Sequence, residues 1–218
     1  MALDAFFRLQ IALPRLRPLP PLDGSLRGWP ETARLPDLAA LHFQPSFASA
    51  YAGWTLDGLA LGFAVGHHPE RQDPAHPLRS DGVEIWIDTR DSRTARKLTR
   101  FCHHFRILPR GLGRRPFFEQ VRAGADGGTD DEGPDAQQLR VAVKTPGPRQ
   151  RGAEGYALEV FLSRELLTGY APMEATSIGL GYRVRSSRAG VQDLTFGERF
   201  PLWRNPSLWM SARLEGAG

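Results

Sequence analysis

The segment Ser80–Arg93, SDGVEIWIDTRDSR, alternates apolar and polar residues. Val83, Ile85 and Ile87 fall on one side of an extended chain, and Glu84, Trp86 and Asp88 on the other. Successive side chains of extended backbone point to opposite sides, so period two predicts a strand with one buried face. The other face carries an indole between two carboxylates. That set suits a sugar, because an indole stacks on the ring and carboxylates accept hydroxyl hydrogen bonds.

The same period recurs along the chain. Leu59, Leu61, Phe63 and Val65 make a buried row after the turn signal Leu56-Asp57-Gly58, which joins them to the preceding AYAGWT strand. FCHHFRIL, QLRVAVK, GYALEVFL and TSIGLGYRVR continue the pattern and direct Phe101, Phe105, Leu139, Val141, Val143, Tyr156, Leu158, Val160, Ile178, Leu180 and Val184 toward a shared core. Helical periodicity is almost absent. Only Ser163-Arg164-Glu165-Leu166-Leu167 reads as a helical turn, capped by Ser163. The expectation is an all-β fold, an antiparallel β-sandwich, in a single domain over residues 1–218 with 1–21 as an N-terminal extension.

The loops His67–Arg79 and Gly124–Asp135, rich in Gly, Asp and Pro, read as mobile surface segments. Ala60, Gly62, Ala64, Gly179 and Gly181 would floor a shallow trough if their strands neighboured that of Trp86. The other reading of these small residues is that the Pro-rich N-terminal segment PRLRPLPPLDG packs across them.

Composition is that of a globular protein, 41% hydrophobic and 24% charged. No run approaches the roughly 18 apolar residues of a membrane span, and the first residues lack the features of a secretory signal, so a cytoplasmic location is expected. Cys102 stands alone, which excludes an internal disulfide and a cysteine-based zinc site. Between Thr89 and Phe118 lie Arg90, Arg93, Arg96, Lys97, Arg100, Arg106, Arg110, Arg114 and Arg115 against Asp91 alone, so the rest of the chain is net acidic despite the overall +4. This arginine patch has two readings, a solvated loop or a surface for nucleic acid or another polyanion such as an anionic glycan.

The order of a DG near the start, the hairpin Trp54-Thr55-Leu56-Asp57-Gly58-Leu59, the DGVEIWIDTRD strand, and GYALEVFLSRELL followed by SIGLGYRV resembles the family 9 carbohydrate-binding modules and their DOMON-like relatives. The resemblance covers residues 22 to 214. It implies a sandwich of jelly-roll type, with sugar held between aromatic side chains and polar groups reading the hydroxyls, often beside a structural calcium ion. Carried over by position, Glu84 and Trp86 lie in the matched DGVEIWID strand and Glu159 in the matched GYALEVFL strand, while Trp203 and Trp209 offer a second aromatic wall. The expected ligand-binding set is Trp86, Glu84, Glu159, Trp203 and Arg183, with Trp29 and Trp54 assigned to structure.

For a metal, the acidic group Asp81, Glu84, Asp88 and Asp91 offers oxygen ligands, and Asp88 and Asp91 are the expected calcium pair. No other cofactor is expected. His67 and His68, like His103 and His104, are adjacent and point to opposite sides of an extended chain, which weighs against a transition-metal site. No His or Met spacing singles out a haem ligand. The expected function is a noncatalytic carbohydrate-binding module. The alternatives are a polyanion- or nucleic-acid-binding sandwich using the arginine patch, and a glycosidase-type enzyme using Glu84 and Glu159. No G-x-S-x-G, H-E-x-x-H or P-loop signature is present, and no protein partner is inferable.

Overall fold

In a computed structural model of the chain, which describes residues 10–42, 44–92, 94–110, 115–121, 138–145, 155–194 and 200–217, the period-two segments become strands in two facing sheets. They are β1 (Gln10–Leu13), β2 (Ala48–Thr55), β3 (Gly58–Val65), β4 (Gly82–Asp88), β5 (Cys102–Leu108), β6 (Phe117–Val121), β7 (Leu139–Lys144), β8 (Tyr156–Ser163), β9 (Ser177–Ser186), β10 (Gly190–Asp193) and β11 (Met210–Leu214). The larger sheet runs β1-β11-β9-β4-β5-β6, with β10 also on β9, and the smaller runs β2-β3-β8-β7. Pairing is antiparallel except between β1 and β11. The chain is an all-β sandwich.

The inward rows meet as expected. Val83, Ile85 and Ile87 of β4 share one core with Leu59, Leu61 and Phe63 of β3, Leu158 and Val160 of β8, and Ile178 and Leu180 of β9. Val141 and Val143 are only half-buried because β7 is an edge strand, and Phe101 lies outside the core, in the β4–β5 connection. The β2–β3 hairpin closes where Thr55 pairs with Gly58. Gly58 has φ +152°, and a Cβ there would sit 2.1 Å from the Leu162 carbonyl oxygen, so no other residue fits.

From Gln10 onward the described N-terminal residues pack on the sandwich. After β1 pairs with β11, the Leu16 amide donates to the Trp54 carbonyl and the chain crosses the outer face of the smaller sheet. There Leu16, Leu19, Leu22 and Trp29 pack on Ala60 and Phe161, and a Cβ on Gly62 would meet Leu26 at 2.6 Å. The small residues of β3 are thus the floor for this segment and not for a ligand.

Two loop expectations also change. Residues 67–79 are tied down, because buried Asp81 accepts from the amides of Glu70 and Arg71 at 2.7 and 3.2 Å and the Ser80 hydroxyl accepts from the Asp73 amide at 2.8 Å. Asp81 also accepts from the Ser187 amide at 2.6 Å, fixing the loop to the turn after β9. The Gly124–Asp135 stretch lies outside the described residues. Ser163–Leu167 forms successive i→i+3 turns in place of a helical turn.

Candidate functional site

Strand register places five charged side chains in one row across the outer face of the larger sheet. Glu119 on β6 pairs with Arg106 on β5, Arg106 with Glu84 on β4, Glu84 with Arg183 on β9, and Arg183 with Asp193 on β10. The signs alternate along the row. Arg106 reaches Glu119 at 3.0 Å and Glu84 at 3.4 Å, and Arg183 holds Asp193 through two bonds of 2.7 and 3.1 Å. All five side chains are largely buried, Arg106 being the most open at 17%. Burying an isolated charge costs several kcal/mol, and alternation offsets that cost by giving each ion a neighbour of opposite sign.

His104 sits two residues along β5 from Arg106, on the same face, and bonds Glu84 through Nε2 at 3.0 Å. Burial pushes the imidazole below its ordinary pKa, so it is neutral near pH 7. An ionised carboxylate only accepts hydrogen bonds, so Nε2 carries the proton and donates. Burial by itself would raise Glu84, but the His104 bond and the charges of Arg106 and Arg183 outweigh it and hold the carboxyl at about 2. Glu84 is therefore an anion under all ordinary conditions and has no proton to give. The row opens to solvent at its β5–β6 end, in a cleft of about 370 Å³ whose floor includes Arg106 and Glu119 and whose rim is the tethered segment Pro74–Arg79.

Beside the charged row lies an aromatic one. Trp86 is 0% exposed. It stacks on His104 at 4.9 Å between ring centroids, and the Arg183 guanidinium stands 5.8 Å from its ring. Leu202 and Trp209 cover it, with Leu98, Cys102 and Leu208 packed around them. The glycines of β9 make this cover possible: a Cβ on Gly181 would touch Trp209 at 3.4 Å and Trp86 at 3.5 Å. The Trp209 indole N–H donates to the Leu202 carbonyl at 2.9 Å, whereas that of Trp86 is buried without a partner among the described residues. Trp203 follows Leu202 and points outward, 49% exposed; of the five tryptophans it alone is exposed.

Several expected site residues are placed differently. Trp86 is not an open stacking platform, because the segment before β11 lies over it. Glu159 is on the other outer face, that of the smaller sheet, where it is buried and accepts from the Gly24 amide and from the Trp29 indole N–H at 2.6 Å. It clasps the N-terminal segment. Glu84 and Glu159 thus point away from each other across a sandwich whose sheets pack about 10 Å apart, so they cannot act as a glycosidase pair. Trp209 is cover and not a second wall; Trp54, buried with its N–H on the Glu215 carbonyl, is structural as expected.

The expected calcium pair is engaged by protein donors. Both Asp88 oxygens cap the following turn, accepting from the amides of Arg90 and Ser92 at 3.0 and 2.7 Å, and Asp91 accepts from the Ser211 hydroxyl. Among the described residues no group of three or more His, Cys, Asp or Glu is placed to hold a metal ion. The arginine run is not one patch either. Arg90, Arg96, Lys97 and Arg100 precede β5 and are exposed, Arg110 and Arg115 follow it and are exposed, and Arg106 between them is in the charged row. The length of β5, about 20 Å, separates the two groups; Arg93 and Arg114 lie outside the described residues. Sequence reasoning missed His104, Arg106, Glu119 and Asp193 as site members. A signal existed for the first two, since Cys102, His104 and Arg106 occupy the polar phase of a strand whose other phase holds Phe105 and Ile107.

This architecture matches solved structures over nearly its whole length. A carbohydrate-binding module of family 9 from Caldicellulosiruptor kristjanssonii in complex with cellotriose superposes with a TM-score of 0.63 at 18% identity, over 96% of this chain and 95% of that one. A family 9 module from the same organism in complex with glucose gives 0.62 at 17% identity, over 97% of each chain. The fold is that of the family 9 carbohydrate-binding modules. A protein from Bacteroides uniformis ATCC 8492 superposes with a TM-score of 0.57 at 10% identity, over 95% of this chain and 98% of its own. At the level of sequence no family model matches the chain, and no curated protein does.

Proposed function

We propose that this chain is a noncatalytic carbohydrate-binding domain that reads a neutral sugar on the outer face of its larger sheet. The observation that carries this reading is the coincidence, on one face, of a prearranged charged row with an open end and an exposed tryptophan, in a fold shared with family 9 modules solved in complex with cellotriose and with glucose. Arg106 and Glu119 meet the ligand in the cleft, one donating and one accepting. Glu84 and Arg183 position Arg106 and its neighbours. Trp203 supplies the stacking surface; its segment lies over the Trp86 row, one row or about 7 Å along the strands from Glu84. Trp86 is the floor beneath that segment. A noncatalytic role is supported by the placement of Glu84 and Glu159 on opposite outer faces, too far apart to work as an acid and nucleophile pair.

Stacking on one indole is worth about 1 kcal/mol and each net hydrogen bond about the same, so affinity falls between micromolar and millimolar. The test is calorimetric titration of glucose and cellotriose into the wild type, Trp203→Ala and Glu119→Gln, with thermal melts of each. The expected result is measurable wild-type binding, weakened about tenfold by either substitution in a folded protein. Absence of binding in the wild type, or equal binding by all three, overturns the reading.

A further inference from the structure

We infer that the β4–β5 connection is a second docking surface, for an acidic polysaccharide, separate from the cleft. In residues 89–101 the cations Arg90, Arg96, Lys97 and Arg100 are exposed, while the one carboxylate of the stretch, Asp91, is turned onto the Ser211 hydroxyl. Among the described residues Arg90, Lys97 and Arg100 meet no carboxylate. Two of them are arrayed by Phe101, with the guanidinium carbons of Arg90 and Arg100 at 4.9 and 4.8 Å from the ring centroid. The base of the loop is fixed. Asp88 caps its first turn, the Thr89 hydroxyl donates to the Thr168 carbonyl at 2.7 Å, and the Thr89 amide donates to the Phe101 carbonyl at 3.1 Å.

Arg90 and Arg100, held side by side on Phe101 and facing no carboxylate among the described residues, are ready for polyvalent anions, and guanidinium forks match carboxylates and sulfates in two-point contacts. Nucleic acid fits less well, since binding a single strand uses aromatic faces for base stacking and the aromatic ring here is already engaged by two guanidiniums. The surface lies beyond the Asp88 end of β4, about 17 Å from Glu84. It is thus distinct from the Arg106–Glu119 cleft, while Leu98 of the same connection packs with the Leu202 and Trp209 cover that flanks Trp203.

The experiment measures retention of the full chain on polygalacturonate and on heparin at several salt concentrations. It compares the wild type with the double variants R90A/R100A and R110A/R115A, the second removing arginines at the far end of β5. Wild-type affinity should fall with salt on a log–log slope of about 2 to 3. R90A/R100A should bind at least tenfold more weakly, R110A/R115A should match the wild type, and R90K/R100K should recover part of the loss. Cellotriose binding should be the same in all of them, so failure of the cleft reading and failure of this one are told apart. No retention of the wild type, equal loss in both alanine doubles, or tighter binding to single-stranded DNA than to either polysaccharide overturns the inference.

Discussion

Glu84 and His104 sit on adjacent strands of the larger sheet, joined by a 3.0 Å bond from Nε2 to a carboxylate that is also flanked by Arg106 and Arg183. The pair is buried, and each member titrates below its ordinary value. For Glu84 the ordinary value is 4.5 and the folded one about 2, so its contribution to stability is complete above pH 4.5 and is lost as pH falls toward 2. His104 acts in the same direction, because folding favours its neutral form and that preference is lost in acid. Stability should therefore decline on the acid side. Urea unfolding across pH 7 to 3 should show Glu84→Gln about 3 kcal/mol less stable than wild type at pH 7, with the gap narrowing below pH 4.5. Parallel curves for the two proteins would mean that the pair is not coupled to folding.

Asp193 is the β10 end of the charged row and accepts both of the short Arg183 bonds described above. Asp193→Asn leaves a buried guanidinium short of its counter-ion, a loss of about 3 to 5 kcal/mol in other buried pairs. Thermal and urea unfolding should place this variant among the least stable single substitutions of the outer face. A change under about 1 kcal/mol would show that other groups carry Arg183.

Trp86 and Trp203 should separate cleanly. Trp86→Ala opens a cavity under Leu202 and Trp209 and should cost about 3 to 5 kcal/mol, whereas Trp203→Ala should stay within about 0.5 kcal/mol of wild type. Acrylamide quenching gives the companion measurement. The component removed by Trp203→Ala should be the most accessible to the quencher.

Glu159 should matter to the N-terminal segment and not to sugar. Glu159→Gln keeps the shape but weakens a buried acceptor shared by the Gly24 amide and the Trp29 indole, costing about 1 to 3 kcal/mol. Trypsin should then cut after Arg27 faster than in wild type, while sugar titrations stay unchanged. Loss of sugar binding in a folded variant would place a ligand on the smaller sheet after all.

Much of the fold was legible in the residue order. Alternation in segments such as DGVEIWID, GLALGFAV and GYALEVFL assigns each side chain to an inner or outer face, and a single-residue slip would invert every one, so local pattern and burial agree. The Gly58 turn and the structural role of Trp54 follow from the same local chemistry. The outward direction of Glu84, Trp86 and Glu159 was also contained in it.

Tertiary structure alone decided what lies over each outer face. Periodicity says that a side chain leaves the core, but not which sheet it belongs to or what segment returns to cover it. Glu84 and Glu159 have the same outward phase and end on opposite sides of the molecule, because β4 and β8 join different sheets. Trp86 has the phase of a surface residue and is buried, because residues 202–209, distant in sequence, close over Gly181 and its neighbours. The five-charge row depends on the register of four strand pairs between segments up to about a hundred residues apart, and that long-range pairing is set by the whole sandwich rather than by any local stretch.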